Sequence, residues 1–204
     1  MTPDSNSCHG LPERLRDYVR WYDDALPAEF CESMVEAFNR AQDRHVERMR
    51  GWRKGLEDSA WTELDITPLA DESLKTFFST RIGNYLARYN RETALAIPIP
   101  SPDKLAPLRI KRYRPSAGEG FQLHFDALGE VANRYLVFLW YLNNVGEGGE
   151  TAFPGLDVEV RPRAGRLLIF PPYWMYQHVG RPPVSGEKYI LSTYLLFETD
   201  PRKS

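Results

Sequence analysis

Eight consecutive apolar residues, YLVFLWYL at positions 135–142, constrain this chain more than any other feature in it. The run is far too short to cross a bilayer as a helix, and its aromatic content suits a strand. A strand without polar alternation has no face for water, so it must be covered on both sides. A second sheet or a layer of helices then has to lie on each face. The flanking sequence supplies both kinds of cover.

From Leu108 onwards, short β-like runs alternate with turn segments. Strands are expected near RIKRY (109–113), FQLHF (121–125), RYLVFLWYL (134–142), DVEV (157–160), RLLIF (166–170), MYQHV (175–179) and KYILSTYLLF (188–197). SAGEG, NNVGEGG, RPRAG and RPPVSG provide the turn chemistry between them. Upstream the pattern is helical. Pro27 can occupy the first turn of a helix through Phe30, Met34, Val35 and Phe38, with polar residues carrying the pattern towards Arg50. Asp71 can cap a second helix whose stripe is Leu74, Phe77, Phe78, Ile82, Tyr85, Leu86 and Tyr89. Between them GWRKGLEDSAWTELDI (51–66) is irregular, its end alternating as if starting a strand, and IPIPSPDKLAP (97–107) is a connector no helix tolerates. The expected fold is α+β: a double-stranded β-helix (jelly roll, cupin-like) core buttressed by N-terminal helices. One domain is expected, with a tail (1–10), mainly helical support (11–107) and a jelly-roll core (108–198).

Composition narrows the function classes. A net charge of −2 gives no global reason to expect nucleic acid. The cluster Arg109, Lys111, Arg112 and Arg114 reads as a strand with a solvated basic face, since Ile110 and Tyr113 interrupt it. Cys8 and Cys31 have no metal-type spacing and form no disulfide framework. The opening MTPDSNSCHG has neither a basic nor an apolar signal region, so a cytoplasmic protein without membrane partners is expected.

The chain has four histidines. His9 lies in the expected tail, and His45, among Arg44, Glu47 and Arg48, reads as a surface residue on a helix face. His124 and Asp126 differ: two residues apart in a strand-like segment, they should share a face while Phe125 points away. Burying both is costly without partners. His178, late in the β region, can face them across the barrel. Two imidazoles and a carboxylate on one side of a metal leave open positions, the arrangement of non-haem Fe(II) oxygenases. Zinc competes for the same donor set. Lys188 begins a strand in which Ile190, Ser192 and Tyr194 share its face. Buried there, its ammonium requires an anion, and a lysine reaching water is the alternative.

These residues together resemble a known family. HFD, the hairpin YLNNVGEGGETAFP (141–154), and HVGRPPVSGEK, which places Lys188 ten residues after His178, resemble the Fe(II)- and 2-oxoglutarate-dependent oxygenases, closest to the prolyl 4-hydroxylase-like group. The resemblance covers about residues 108–198. It implies that His124, Asp126 and His178 ligate iron and that Lys188 binds the distal carboxylate of 2-oxoglutarate. It further implies that Thr151 and Tyr113 support that cosubstrate and that Arg134 faces substrate. Fe(II), 2-oxoglutarate and O2 would be required, with ascorbate as a candidate reductant. The reaction implied is hydroxylation of an unactivated C–H with release of succinate and CO2. A peptidyl proline is one substrate class, and a free amino acid or other small metabolite the alternative. A non-catalytic metal- or ligand-binding jelly roll is the reading of a different class.

Three positions depart from the family pattern. Phe121 stands where many relatives have tyrosine, Ser192 replaces an asparagine and Tyr194 a tryptophan. Arg53 with Trp61, and Tyr173, Trp174 and Tyr176, are expected to line the entrance. The sequence leaves oligomeric state open.

Overall fold

The alternation of KYILSTYLLF organises the molecule, because its two faces meet different layers. The computed structural model describes residues 14–52, 54–101 and 104–197. Cys8, His9, the rest of the expected tail and Arg53 lie outside the described residues. The described strands are β1 (Arg20–Tyr22), β2 (Val46–Arg48), β3 (Trp61–Asp65), β4 (Arg109–Tyr113), β5 (Phe121–His124), β6 (Arg134–Tyr141), β7 (Thr151–Phe153), β8 (Val158–Val160), β9 (Leu167–Phe170), β10 (His178–Gly180) and β11 (Lys188–Leu196). The helices are α1 (Ala28–Arg40) and α2 (Glu72–Thr93). A seven-stranded sheet has the order β1-β9-β6-β11-β4-β3-β2, and a four-stranded sheet the order β5-β10-β7-β8. Every pairing is antiparallel.

The run at 135–142 is covered on both faces, as its composition demands. Leu136, Phe138 and Trp140 pack with Phe78, Ile82 and Leu86 of α2. Val137, Leu139 and Tyr141 point between the sheets, towards Phe153 and Phe170. β11 divides in the same way, with Tyr189, Leu191 and Leu195 on the helix side and Ile190 and Tyr194 on the other. α2 starts where the cap was expected, the Asp71 carboxylate accepting the Leu74 N–H at 2.8 Å. Such a cap contributes about 1 kcal/mol.

The N-terminal half is less helical than its pattern predicts. Pro27 sits just before the first residue of α1, and the helix ends at Arg40. The residues towards Arg50 leave it, and Val46–Arg48 pairs with β3 as an edge strand. β1 likewise adds an edge by pairing with β9. Three-residue edge strands carry too little alternation to be read, and their partners, distant in sequence, create them. His45 is not on a helix: its ring stacks on Phe38 at 4.0 Å between centroids, and its Nε2 lies 2.9 Å from the Phe38 carbonyl oxygen. Among the described residues no helix is long and apolar enough to cross a membrane.

Candidate metal centre and its cavities

β5 and β10 are hydrogen-bonded neighbours, and their register sets His124 opposite His178. The two imidazoles are therefore side by side in one sheet rather than across the barrel, with ring centroids 4.3 Å apart. β5 stops at His124, so the pleat does not orient Asp126. A bend does so instead: the N–H groups of Asp126 and Ala127 both donate to the Pro172 carbonyl at 3.0 Å. The carboxylate returns to lie 3.6 Å from Nε2 of each histidine, and ligand atoms of all three residues fall within 4.8 Å of one another.

The outer contacts of this cluster fit a cation. Nδ1 of His124 lies 2.7 Å from the Gln122 carbonyl, and Nδ1 of His178 lies 3.0 Å from that of Tyr176. A carbonyl only accepts, so each Nδ1 carries the proton and each Nε2 presents a lone pair to the centre. Burial, reinforced by the neighbouring His124, holds the His178 pKa down at about 4 against the pull of Asp126. Burial alone would raise the Asp126 carboxyl, but His124, His178 and Arg134 outweigh it and keep the pKa below the ordinary value. With His178 held towards its neutral form and Asp126 towards its carboxylate, two imidazoles and one carboxylate present the donor set of a divalent metal site. Tyr194 adds a hydrogen bond to Asp126 Oδ1 at 3.1 Å, reaching across from β11.

Beside the cluster is a small cavity of about 40 Å³, bounded by the three residues together with Tyr113, Thr151 and Lys188. Register places Lys188 opposite Tyr113, and its ammonium lies 4.8 Å from the Tyr113 ring centroid. Lys188 is only 2% exposed. Its Nζ donates to the Gly149 carbonyl at 2.8 Å, and among the described residues no carboxylate pairs with it. Burial lowers its pKa to about 7, with Glu150 opposing and Lys111 assisting. Thr151 Oγ1 accepts the Tyr141 hydroxyl at 2.7 Å, and Thr151 lines the cavity.

A larger cavity of about 380 Å³ opens on the other side of the cluster. Both cavities are lined by Lys111, Phe121, His124, Asp126, Ser192 and Tyr194, so they meet there. Trp61 lines the outer one as expected, but Tyr173, Trp174 and Tyr176 do not. Their segment forms a 3₁₀ turn before β10, and only its neighbour Gln177 reaches the cavity. Phe121, lacking a hydroxyl, stacks on Trp61 at 4.7 Å and lies 4.0 Å from the His124 ring. Arg134 lines the outer cavity with its guanidinium carbon 3.8 Å from the Tyr194 ring centroid.

Three residues lining the outer cavity were misread or missed in the sequence. Arg109 and Lys111 do not form a solvated basic face, because both line the outer cavity. The pleat carried the signal, since residues 109, 111 and 113 must share a face once Tyr113 is placed in the site. Glu63, on β3, was not singled out. It is 6% exposed and accepts Trp61 Nε1–H at 2.9 Å and Arg48 N–H groups at 3.0 and 3.2 Å. Burial would raise its pKa, but Trp61, Lys111 and Arg48 bring it below the usual value.

A two-sheet jelly roll with two histidines and a carboxylate at one mouth is an arrangement that suits a non-haem Fe(II) centre. Comparison with known sequences agrees: residues 108–196 match the family model of the 2OG-Fe(II) oxygenase superfamily. That segment is similar to the superfamily, and the curated relatives it matches are prolyl 4-hydroxylases. Prolyl 4-hydroxylase 13 of Arabidopsis thaliana is 28% identical over 142 residues, covering 56% of this chain and 51% of that protein. The chain spans about half the length of the curated relatives it matches, 51% in that case. Among solved structures, the viral collagen prolyl hydroxylase of Paramecium Bursaria Chlorella virus-1 in complex with 2OG superposes with a TM-score of 0.59 at 20% identity, over 89% of this chain and 97% of that one. A prolyl hydroxylase with a hypoxia-inducible-factor peptide, from Trichoplax adhaerens, gives 0.66 at 17% identity over 88% and 84%. Both likenesses concern the fold.

Proposed function

We propose that this chain is an Fe(II)- and 2-oxoglutarate-dependent dioxygenase that hydroxylates an unactivated C–H. One observation carries the reading. A buried ammonium without a carboxylate partner among the described residues, Lys188, faces the His124–Asp126–His178 cluster across a small cavity. Leaving a lysine charge in such a place costs several kcal/mol unless an anion joins it. A dicarboxylate that binds the metal at one end and Lys188 at the other meets that requirement.

In this reading His124 and His178 offer neutral Nε2 lone pairs and Asp126 a negative charge, while Tyr194 fixes one carboxylate oxygen by hydrogen bonding. Lys188 pairs with the distal carboxylate, with the Thr151 hydroxyl donating beside it and Tyr113 walling the site. The metal and cosubstrate, when bound, supply the oxidising chemistry that converts 2-oxoglutarate and O2 to succinate and CO2 as C–H becomes C–OH. Apolar groups around the inner cavity, Val137, Leu139, Phe170 and Ile190, exclude water from it. The outer cavity receives the substrate, and Arg134 stands at its wall. A prolyl residue of a peptide is one substrate class for this space, the Trichoplax adhaerens prolyl hydroxylase being in complex with a hypoxia-inducible-factor peptide fragment, and a free amino acid or other small metabolite is the alternative.

Anaerobic titration of the purified protein with Fe(II) and 2-oxoglutarate tests the reading. A weak visible charge-transfer band is expected, abolished in His124→Ala and weakened in Lys188→Ala. Folded, metal-replete wild type without that band would refute it and leave a binding module.

A further inference from the structure

Part of this protein's surface charge is held in close ion pairs. Arg114 meets Glu119 at 2.7 Å, Arg166 meets Asp23 at 2.6 Å and Arg181 meets Glu159 at 2.8 Å. The outer cavity gathers cations that have no such partner around one space. Its two carboxylates are Glu63 and Asp126. Glu63 has one oxygen on Arg48 and the other on Trp61 Nε1, and Asp126 belongs to the metal cluster. Glu63 is the cross-strand partner of Lys111 in the β3–β4 register, yet it is bonded elsewhere.

Besides the exposed Lys54, three partly buried cations of this wall are thereby left over. Lys111 Nζ sits 5.3 Å from the ring centroids of both Trp61 and Phe121, and among the described residues it has no hydrogen bond or ion pair. Arg109, on the same face of β4, has none either, and Arg134 rests on Tyr194 without a carboxylate of its own. Burial lowers the Lys111 pKa, as expected of an ammonium whose countercharges do not touch it. The remaining wall is largely apolar, with Leu56, Ala106, Pro107, Leu123, Leu128 and Val131. Cations facing inward on an oily cavity, with the local acids already engaged, are complementary to an anion carried on an apolar body. Planar guanidinium groups match a carboxylate in particular.

We propose that the substrate carries a carboxylate, seated by Lys111 with Arg109 and Arg134 while its apolar part lies against Trp61 and Leu128. This rests on the oxygenase reading above and sharpens it: an uncharged prolyl segment leaves the three cations unanswered.

The test uses the full chain loaded with Mn(II) and 2-oxoglutarate under argon, titrated calorimetrically. The probes are a panel of N-acetyl amino acids and the matching N-acetyl amino amides. A second arm pairs proline-containing peptides bearing Asp or Glu with their Asn or Gln counterparts, which separates a chain-borne carboxylate from a free one. The best acid of either arm should bind about tenfold or more tightly than its neutral partner, as one charge-assisted bond requires. Lys111→Met, which keeps the aliphatic stem, and Arg109→Gln, which serves if the first variant misfolds, should each erase that preference. Equal binding of acids and amides, a better fit for the neutral prolyl peptide, or no binding by any acid would overturn the proposal. Lys111 lines both cavities, so 2-oxoglutarate affinity is measured in the same variants. A loss there with the acid preference intact would reassign Lys111 to the cosubstrate and overturn its role here. Failure of wild type to bind Mn(II) and 2-oxoglutarate at all would instead sink the oxygenase reading.

Discussion

The two faces of strand β11 are equally buried and chemically opposite. On the helix side Tyr189, Leu191 and Leu195 pack into Phe38, Phe78 and Trp140, a surface whose partners all come from the chain. On the inner side Lys188, Ser192 and Tyr194 line cavities shared with two histidines and an aspartate. One face is complete as folded, whereas the other is stable only because its neighbour supplies the surplus. On the function proposed above, the difference gives stability to the helix side and binding to the inner side, and substitutions can pull the two apart.

The largest separation should come from the metal cluster. Asp126→Ala is expected to abolish Mn(II) binding and all 2-oxoglutarate turnover, followed by calorimetry and succinate formation. The thermal midpoint of the metal-free protein should fall only modestly, because His124, His178 and Arg134 favour the Asp126 carboxylate in the fold while its burial opposes them. A large fall in that midpoint would mean that the cluster is structural. On the opposite face, Leu191→Ala should cost about 2–5 kcal/mol in urea unfolding, the usual range for a fully buried leucine. Metal and cosubstrate affinity of the folded fraction should be unchanged.

Lys188→Met sharpens the comparison within the inner face. It should weaken 2-oxoglutarate binding by about 1.5–3 kcal/mol, the loss of a charge-assisted bond, while leaving metal-free stability intact or improved. The same lysine predicts a pH dependence. Its folded pKa of about 7 lies below the ordinary 10.5, so between those values the unfolded chain holds the proton and the cosubstrate-free fold does not. Stability from this group therefore grows as pH rises through that window. Binding of 2-oxoglutarate runs the other way, since it needs the ammonium. Its dissociation constant should climb about tenfold per unit above pH 7 until the bound lysine itself titrates, and the slope should vanish in Lys188→Met. The smallest effect is assigned to Tyr194→Phe, which removes the hydrogen bond to Asp126 Oδ1. A roughly tenfold loss of Mn(II) affinity with little change in unfolding is expected, at the low end for a group supporting a metal ligand.

Local patterning determined a good deal of this protein. Eight unbroken apolar residues required a doubly covered strand, and β6 is one. Alternation after Lys188 sorted β11 correctly, and Asp71 announced its helix, because pleat, pitch and capping act over a few residues. The HFD motif, the distal His178 and Lys188 pointed to a site that the fold assembles.

Tertiary structure alone decided what depends on contacts distant in sequence. Asp126 reaches the cluster through a bend held by Pro172 rather than through the strand's own geometry. His178 stands beside His124 because β10 pairs with β5, a register nothing in either segment specifies. The edge strands β1 and β2 exist by virtue of their partners. Lys111 shows the limit most clearly. The sequence gives it a face shared with Tyr113, but whether that face meets water or a cavity depends on Trp61, Phe121 and Glu63 arriving from other strands. A side chain's direction is a local property; what it faces belongs to the whole fold.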